Sequence, residues 1–403
     1  MLGWELPPDN TGGLGVACYQ LCKSLAKNNM DIDFVLPFKS RHIYEFMNVY
    51  PNDSEFSEIV YESGSEQKII SAYNSSEYSE TDGWSNSQIY TGRASQYETL
   101  VTAMAKSRPY EVIHAHDWMT FRAALRAKRL ANCPLIVHVH SIERDRSAGL
   151  PGNPMVREIE ATTFLLADRV VAVSERTRQM ISEDYNIPLT KIDVVHNSLD
   201  LSDVVELDND NSYFYLSEMK KRGWKVVANV GRQTSQKGLP NFMHTAQAVV
   251  HKQPKTIFLF VGNGEQETEL IELAAGLGIS RNVMFAGFQR GKPWRDAYAI
   301  ADLFVMPSVS EPFGLTPYEA IGYGTPSLVS KQSGISEVLV NCLKVDFWDI
   351  DEMANQIIAT LRYDSLRDEL HTNSLKEYLR LGWDGAADQL INIYNHHLAE
   401  AKP

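Results

Sequence analysis

Ten short apolar runs, each followed by a helix-length stretch, constrain the fold of this 403-residue chain more than any other feature. They lie at 33–37, 112–116, 135–140, 169–174 and 193–196 in the first half. In the second half they lie at 225–231, 256–262, 282–288, 303–307 and 326–329. Apolarity that is continuous rather than alternating marks strands buried on both faces, as when helices cover both sides of a parallel sheet. Five runs in each half predict two doubly wound α/β domains rather than one long sheet. The boundary is expected between 199 and 222, in the polar stretch containing Asp208-Asn209-Asp210-Asn211-Ser212. Helices are expected near 353–361 and 386–398. A first strand should precede Gly3, yet only Met1 and Leu2 are available. Either that strand is very short or the chain begins downstream of its natural start, and the amino terminus is expected to be poorly protected.

Hydrophobic residues make up 44% and charged residues 22%, ample for two cores and ordinary for a soluble enzyme. No apolar run is long enough to span a bilayer, and the first residues are too short and too polar for a secretory signal. Cys18, Cys22, Cys133 and Cys342 follow no metal spacing; Cys18 and Cys22, four apart on an expected helix, read as core packing. A reducing cytoplasm is the natural setting. The formal charge of −13 argues against a nucleic-acid partner. Between Asp53 and Asp82 stand eight acidic residues and one base, Lys68, while residues 1–200 together hold 19 Lys/Arg and 26 Asp/Glu. The acidity of the first half therefore belongs to one serine-rich segment, about 50–95, which reads as a flexible surface insertion. Arg122, Arg126, Lys128 and Arg129 share one helix and read as a solvated face rather than a membrane surface. Oligomeric state is not legible.

Residues 311–319 read Glu-Pro-Phe-Gly-Leu-Thr-Pro-Tyr-Glu and follow a buried strand. Pro317 suits a first helical turn and Thr316 is the expected cap. Glu311 then lies in the strand-to-helix loop and Glu319 in the first turn, with backbone amides around Phe313, Gly314 and Leu315 between them. Such a loop offers acceptors for sugar hydroxyls and donors for an anion. The plain alternative makes Glu319 a helix-dipole partner and Glu311 a solvated loop residue. Arg232 and Lys237, five apart at the end of a strand and followed by Gly238, can converge on a diphosphate. Gly12 and Gly13 sit where a proline-rich loop enters a helix, so backbone can approach an anion there. Gly262 ends the next strand of the second half; Phe288 ends the one after, where core is one reading of its side chain. His114, His116, His138 and His140 alternate on two strands, so each pair shares a face. A metal site there has no ligand-spaced cysteine or carboxylate cluster to support it.

Together these motifs resemble retaining GT-B glycosyltransferases of the Glu-x7-Glu type, the family 4 or group 1 enzymes related to glycogen synthases. The continuation Ala320-Ile321-Gly322-Tyr323-Gly324-Thr325-Pro326 matches the same pattern. The resemblance covers nearly the whole chain apart from the acidic segment. It departs at Asn10-Thr11, where the synthases usually carry a lysine before the glycines.

The resemblance implies two Rossmann-like domains facing a cleft. Residues 1–200 would be on the acceptor side and 201–385 would bind nucleotide sugar, with 386–403 packing back toward the first domain. It implies transfer of a hexose, glucose first, from a nucleoside-diphosphate sugar to a hydroxyl acceptor (a glucan, a small molecule or a lipid-linked sugar), with no bound metal and no cofactor. The implied catalytic set is His140, Arg232, Lys237 and Glu311. The implied donor contacts are Gly12, Gly13, Gly262, Phe288, Phe313, Gly314, Leu315 and Glu319. His116-Asp117-Trp118 would line the cleft structurally, and Glu143, Arg144, Asp145 and Arg146 are candidates for acceptor contact. A glycoside phosphorylase, a sugar-nucleotide epimerase or a non-catalytic nucleotide-sugar sensor stand as alternatives.

Overall fold

The computed structural model describes residues 1–9, 12–40, 42–51, 85–200, 204–208, 210–380 and 382–400. Most of the acidic segment, 52–84, lies outside the described residues, as do Asn10 and Thr11. The chain forms two compact units, Met1–Ser198 with Gly382–Pro403, and Leu199–Leu381.

The first unit carries β1 (Asp33–Val35), β2 (Asn48–Tyr50), β3 (Ile113–His116), β4 (Leu135–Val139), β5 (Arg169–Ala172) and β6 (Ile192–Val194), all paired in parallel. Met1–Gly3 joins the two ladders. Leu2 bridges Val35 on one side and Ala115 on the other, its amide donating to the His114 carbonyl at 2.7 Å. The Met1 ammonium donates to the Asp33 carbonyl at 2.8 Å. The amino terminus is therefore not poorly protected. Two residues suffice for a central strand because both neighbours bond them, and Leu2, Trp4 and Leu6 are buried. The sheet runs outward from that centre both ways, through β1 to β2 and through β3 to β6.

Helices cover both faces. Helix Pro154–Leu166 opens with Pro154 at its first position, and Asn153 accepts from the Met155 amide at 3.0 Å. Ser174 caps Glu175–Tyr185 through the Thr177 amide. The last helix, Trp383–Glu400, places Trp383, Ala387, Leu390 and Tyr394 in this unit's core. Burying a side chain of Leu size or larger is worth roughly 1.5–3 kcal/mol, so Trp383, Leu390 and Tyr394 hold the helix. Residues 85–95, expected to be part of a flexible insertion, lie in helix Ser85–Ser107.

The second unit holds one parallel sheet: β7 (Lys225–Val230), β8 (Thr256–Val261), β9 (Val283–Phe285), β10 (Leu303–Met306), β11 (Ser327–Ser330) and β12 (Leu343–Val345). Its order is β12-β11-β10-β7-β8-β9. The chain starts in the middle, winds out to β9, returns to β10 beside β7 and winds the other way. A crevice therefore opens between the carboxyl ends of β7 and β10, where doubly wound sheets bind ligands. β2, β12 and helix Asp364–Tyr378 have no counterpart in the sequence expectation; the two strands have three residues each, too few to set a period. Among the described residues, no helix is long and apolar enough to cross a membrane.

Candidate active site

In the second unit, loops after β7, β8 and β10 interlock above that crevice. The Gln233 amide donates to the Asn263 carbonyl at 2.9 Å, and Gln233 Nε2 to the Gly262 carbonyl at 3.0 Å. Gln236 Nε2 donates to the Ser310 carbonyl at 2.9 Å, and the Val309 amide returns a bond to Gln236. Two glycines make this approach possible. A Cβ at Gly262 (φ +134°) would stand 1.9 Å from the Gly231 carbonyl oxygen, and one at Gly238 (φ +66°) 2.3 Å from that of Pro307.

This interlock places Lys237 against Glu311. Lys237 Nζ donates to Glu311 Oε2 at 2.5 Å, and Ser308 Oγ donates to the same oxygen at 3.2 Å. The Glu311 backbone is pinned like a strand, its amide on the Gln332 carbonyl and its carbonyl receiving the Gly334 amide. Glu311 is 8% exposed, so it is not a solvated loop residue.

Helix Thr316–Gly322 begins after Leu315, not Thr316. Leu315 has no capping side chain, and Thr316 already belongs to the helix with its hydroxyl near Met306 Sδ. Among the described residues, the amides of Gly314 and Leu315 have no hydrogen-bond partner. Phe313 is buried, and its carbonyl accepts from the Ile335 amide. Glu319 lies in the first turn, where Tyr298 donates its hydroxyl at 2.6 Å. Burial pushes the Glu319 carboxyl up to about 7, against the lowering effect of that bond. Arg232 follows β7 and is half-buried. Phe288, three residues beyond β9, is 55% exposed with the Arg290 guanidinium 5.2 Å from its ring, which removes the core alternative.

In the first unit, Gly12 precedes helix Gly13–Lys27 and Gly13 opens it. The buried Glu5 carboxylate accepts from the Gly15 amide at 3.2 Å, satisfying one donor of that turn. His140 ends β4. Its amide donates to Asp117 Oδ1 at 2.7 Å, and its Nε2 stands 3.0 Å from His116 Nδ1. Burial drives the His140 imidazole down to about 3, so it is neutral and serves as a hydrogen-bonding group. Asp117, held at φ +58°, is pushed up to about 7 by burial despite Arg146 and the two amides it binds.

The family 4 glycosyltransferase model matches residues 84–203, and the group 1 glycosyl transferases model matches 217–377. The chain belongs to the group 1 and family 4 glycosyltransferases. An uncharacterized glycosyltransferase of Methanocaldococcus jannaschii is 26% identical, over 98% of this chain and 97% of the relative. A D-inositol 3-phosphate glycosyltransferase of Salinispora arenicola is 27% identical over 73% and 70%. A glycogen synthase of Mycobacterium tuberculosis is 24% identical over 85% and 80%. The structure of Anabaena HepE in complex with UDP and glucose shares the fold, with a TM-score of 0.69 and 18% identity over 98% and 100% of the two chains. The fold is GT-B.

Within this glycosyltransferase the sequence-derived residues fall into two sets. Arg232, Lys237, Gly262, Phe288, Glu311, Phe313, Gly314, Leu315 and Glu319 belong to the second unit; Gly12, Gly13 and His140 belong to the first. Glu143, Asp145 and Arg146, read as acceptor contacts, are spent internally. Arg146 pairs with Glu143 at 3.1 Å and Glu160 at 2.5 Å, with all three side chains 1% exposed. Asp145 accepts the Ile142 amide at 3.0 Å. Arg144 pairs with Asp184 at 2.8 Å. Tyr298 was missed, and Asp117 was read only as a structural part of the cleft lining. Tyr298 reads as core on an amphipathic helix, and only its partner Glu319, itself picked from the motif, singles it out. Asp117 carries a signal in the His-Asp-Trp run, but its use in tying β4 to β3 depends on parallel register.

Proposed function

We propose that this glycosyltransferase moves a hexose, glucose first, from a nucleoside-diphosphate sugar to a hydroxyl acceptor with retention, and that the acceptor is an α-glucan. The reading rests on one arrangement: Lys237 bound to Glu311 at the crevice between β7 and β10. Glu311 Oε2 is held by Lys237 and Ser308, which leaves Oε1 for a hydroxyl of the donor sugar. Lys237 and Arg232 face charge that grows on the diphosphate as the glycosidic bond breaks, an interaction stronger in the transition state than before it. Glu319 takes the ribose hydroxyls, the Gly314 and Leu315 amides take a phosphate oxygen, and Phe288 stacks the base. The acceptor hydroxyl attacks from the side of the leaving group; its proton passes to the departing diphosphate oxygen as the new bond forms. His140, neutral and oriented by Asp117, donates to a sugar hydroxyl. Gly12 and Gly13 present amides to the diphosphate. No metal is required for these steps.

The glucan acceptor is supported by the glycine loop, the His140 context and the glycogen synthase relative. A donor panel of UDP-glucose, ADP-glucose, GDP-mannose and UDP-GlcNAc, scored for free nucleotide with and without glucan, tests both parts. Nucleotide release stimulated by glucan supports the full reading. Release stimulated only by a small polyol phosphate overturns the glucan acceptor, and no turnover or binding with any donor overturns the transferase reading.

A further inference from the structure

Tyr298 has no task in the proposed transfer, yet it grips a residue that does. It lies on helix Lys292–Ile300, which packs beside helix Thr316–Gly322, and it is fully buried. Its ring is fixed on three sides. Trp294 meets it edge-on at 5.3 Å between centroids, Phe304 is tilted against it at 5.6 Å, and Tyr323 stacks on it at 6.2 Å. Its carbonyl accepts from Thr325 Oγ1 at 2.7 Å. Tyr323 and Thr325 directly follow the helix that carries Glu319. One packing arrangement therefore sets both the phenol and the carboxylate.

The two oxygens of Glu319 are unequal. Oε2 accepts from the Tyr298 hydroxyl at 2.6 Å, while Oε1 has no partner among the described residues and the side chain is only half-buried. A buried phenol needs an acceptor, and the plain explanation is that Glu319 merely supplies it. A backbone carbonyl or a glutamine would do so without the desolvation that pushes this carboxyl up to about 7. Desolvating a carboxylate and leaving one oxygen bare gains nothing for the packing. It gains a fixed acceptor for a ligand.

We propose that Tyr298 is a positioning residue for nucleotide recognition: by binding Glu319 Oε2 it holds Oε1 toward the ribose hydroxyls of the donor. The inference rests on the reading in which Glu319 takes those hydroxyls. The last torsion of a glutamate is broad, so a carboxylate with both oxygens free samples many planes. One hydrogen bond from a ring that cannot turn away selects a plane before the nucleotide arrives, and less freedom is lost on binding. The same bond favours the ionised carboxylate, the form whose oxygens both accept.

Calorimetric titration of the full chain with UDP and with 2′,3′-dideoxy-UDP reads the ribose contribution as a ratio of affinities. Where the donor panel selects adenine or guanine, ADP or GDP and its dideoxy form take their place. Wild type should favour the hydroxylated nucleotide about 10-fold or more, and Glu319→Ala should bring that ratio close to one. Tyr298→Phe removes only the hydroxyl and keeps the ring among its aromatic neighbours. It should weaken UDP about 3- to 10-fold and change dideoxy-UDP by less than about twofold. A ratio near one in wild type, or one that Glu319→Ala leaves unchanged, overturns the ribose role of Glu319 and this inference with it. A ratio that collapses in Glu319→Ala but survives in Tyr298→Phe overturns the role of Tyr298 alone. Equal loss of both nucleotides in Tyr298→Phe makes the hydroxyl a packing element and also overturns it.

Discussion

Lys237 Nζ and Glu311 Oε2, 74 positions apart in sequence, are 2.5 Å apart in the fold. The contact exists because β7 and β10 are neighbours although β8 and β9 intervene in the chain. It fixes an otherwise floppy lysine side chain before any ligand arrives, so less freedom is lost when a phosphate binds. It also couples the sugar-side carboxylate to the cation that would meet the leaving group.

Lys237→Ala should therefore damage turnover far more than donor binding. Losing a preorganised charge contact to the transition state costs about 10²–10³ in kcat. The donor KM should move by less than about tenfold. Steady-state kinetics with the best donor checks this, and unchanged kcat would remove Lys237 from the catalytic set.

Glu319 makes stability depend on pH in a defined direction. Its folded carboxyl sits at about 7, above the usual carboxylate value, so the folded state holds the proton more tightly. The unfolded state gives it up first, near pH 4.3 for a free Glu (about that value by model peptides). Its contribution is therefore fully present at acid pH and lost as pH rises toward about 7. Glu319→Gln, which still accepts from Tyr298, should gain stability relative to wild type as pH rises from about 5 to about 8. Paired thermal melts across that range test it; a constant difference would show that Glu319 does not titrate there.

Arg146 is a stability determinant rather than an acceptor contact. Arg146→Ala leaves Glu143 and Glu160 buried beside each other without their shared cation. Breaking a buried pair this way costs about 3–5 kcal/mol. Urea unfolding of the variant reads the loss directly, and a shift near zero would mean the carboxylates had taken up protons or water at no cost.

The sequence made the strand-rich parts of this fold legible because buried parallel strands are continuous apolar runs, as at 256–261 and 303–306. It placed a very short first strand before Gly3 but missed its protection, because Leu2 draws its stability from two neighbours, Val35 and Ala115, rather than from its own length. Glu311, Glu319, Arg232 and Lys237 stood out because strand ends and helix starts position side chains locally. The Lys237–Glu311 bond itself needed strand order, which no local pattern encodes. Arg146 misled for the opposite reason: a charged residue in a loop after a strand resembles a ligand contact until its burial is known.

Gly238→Ala tests whether the interlocked loops are as tight as they look. Alanine at φ +66° is strained, and its Cβ would press on the Pro307 carbonyl, backbone that cannot swing away. The expected loss is about 1–3 kcal/mol of stability, with turnover falling as Lys237 is displaced. Denaturant melts and kcat are both read, and a variant equal to wild type in each would mean the loop moves freely.

Phe288→Ala separates a ligand contact from a packing role. The ring is 55% exposed and packs on Arg290 rather than on the core, so truncation should change stability by no more than about 0.5 kcal/mol. If the ring stacks on the nucleotide base, losing it costs about 1–3 kcal/mol of donor binding, roughly 5- to 150-fold in affinity. Phe288→Tyr keeps the π-face and should restore affinity without restoring any packing that alanine left intact. Titration of UDP and of UMP against the three proteins distinguishes the cases, because UMP keeps the base and drops the outer phosphate. A loss with both ligands, rescued by tyrosine, fits base stacking. Equal affinities in all three proteins would take Phe288 out of the donor site and leave its exposed ring without a role in nucleotide recognition.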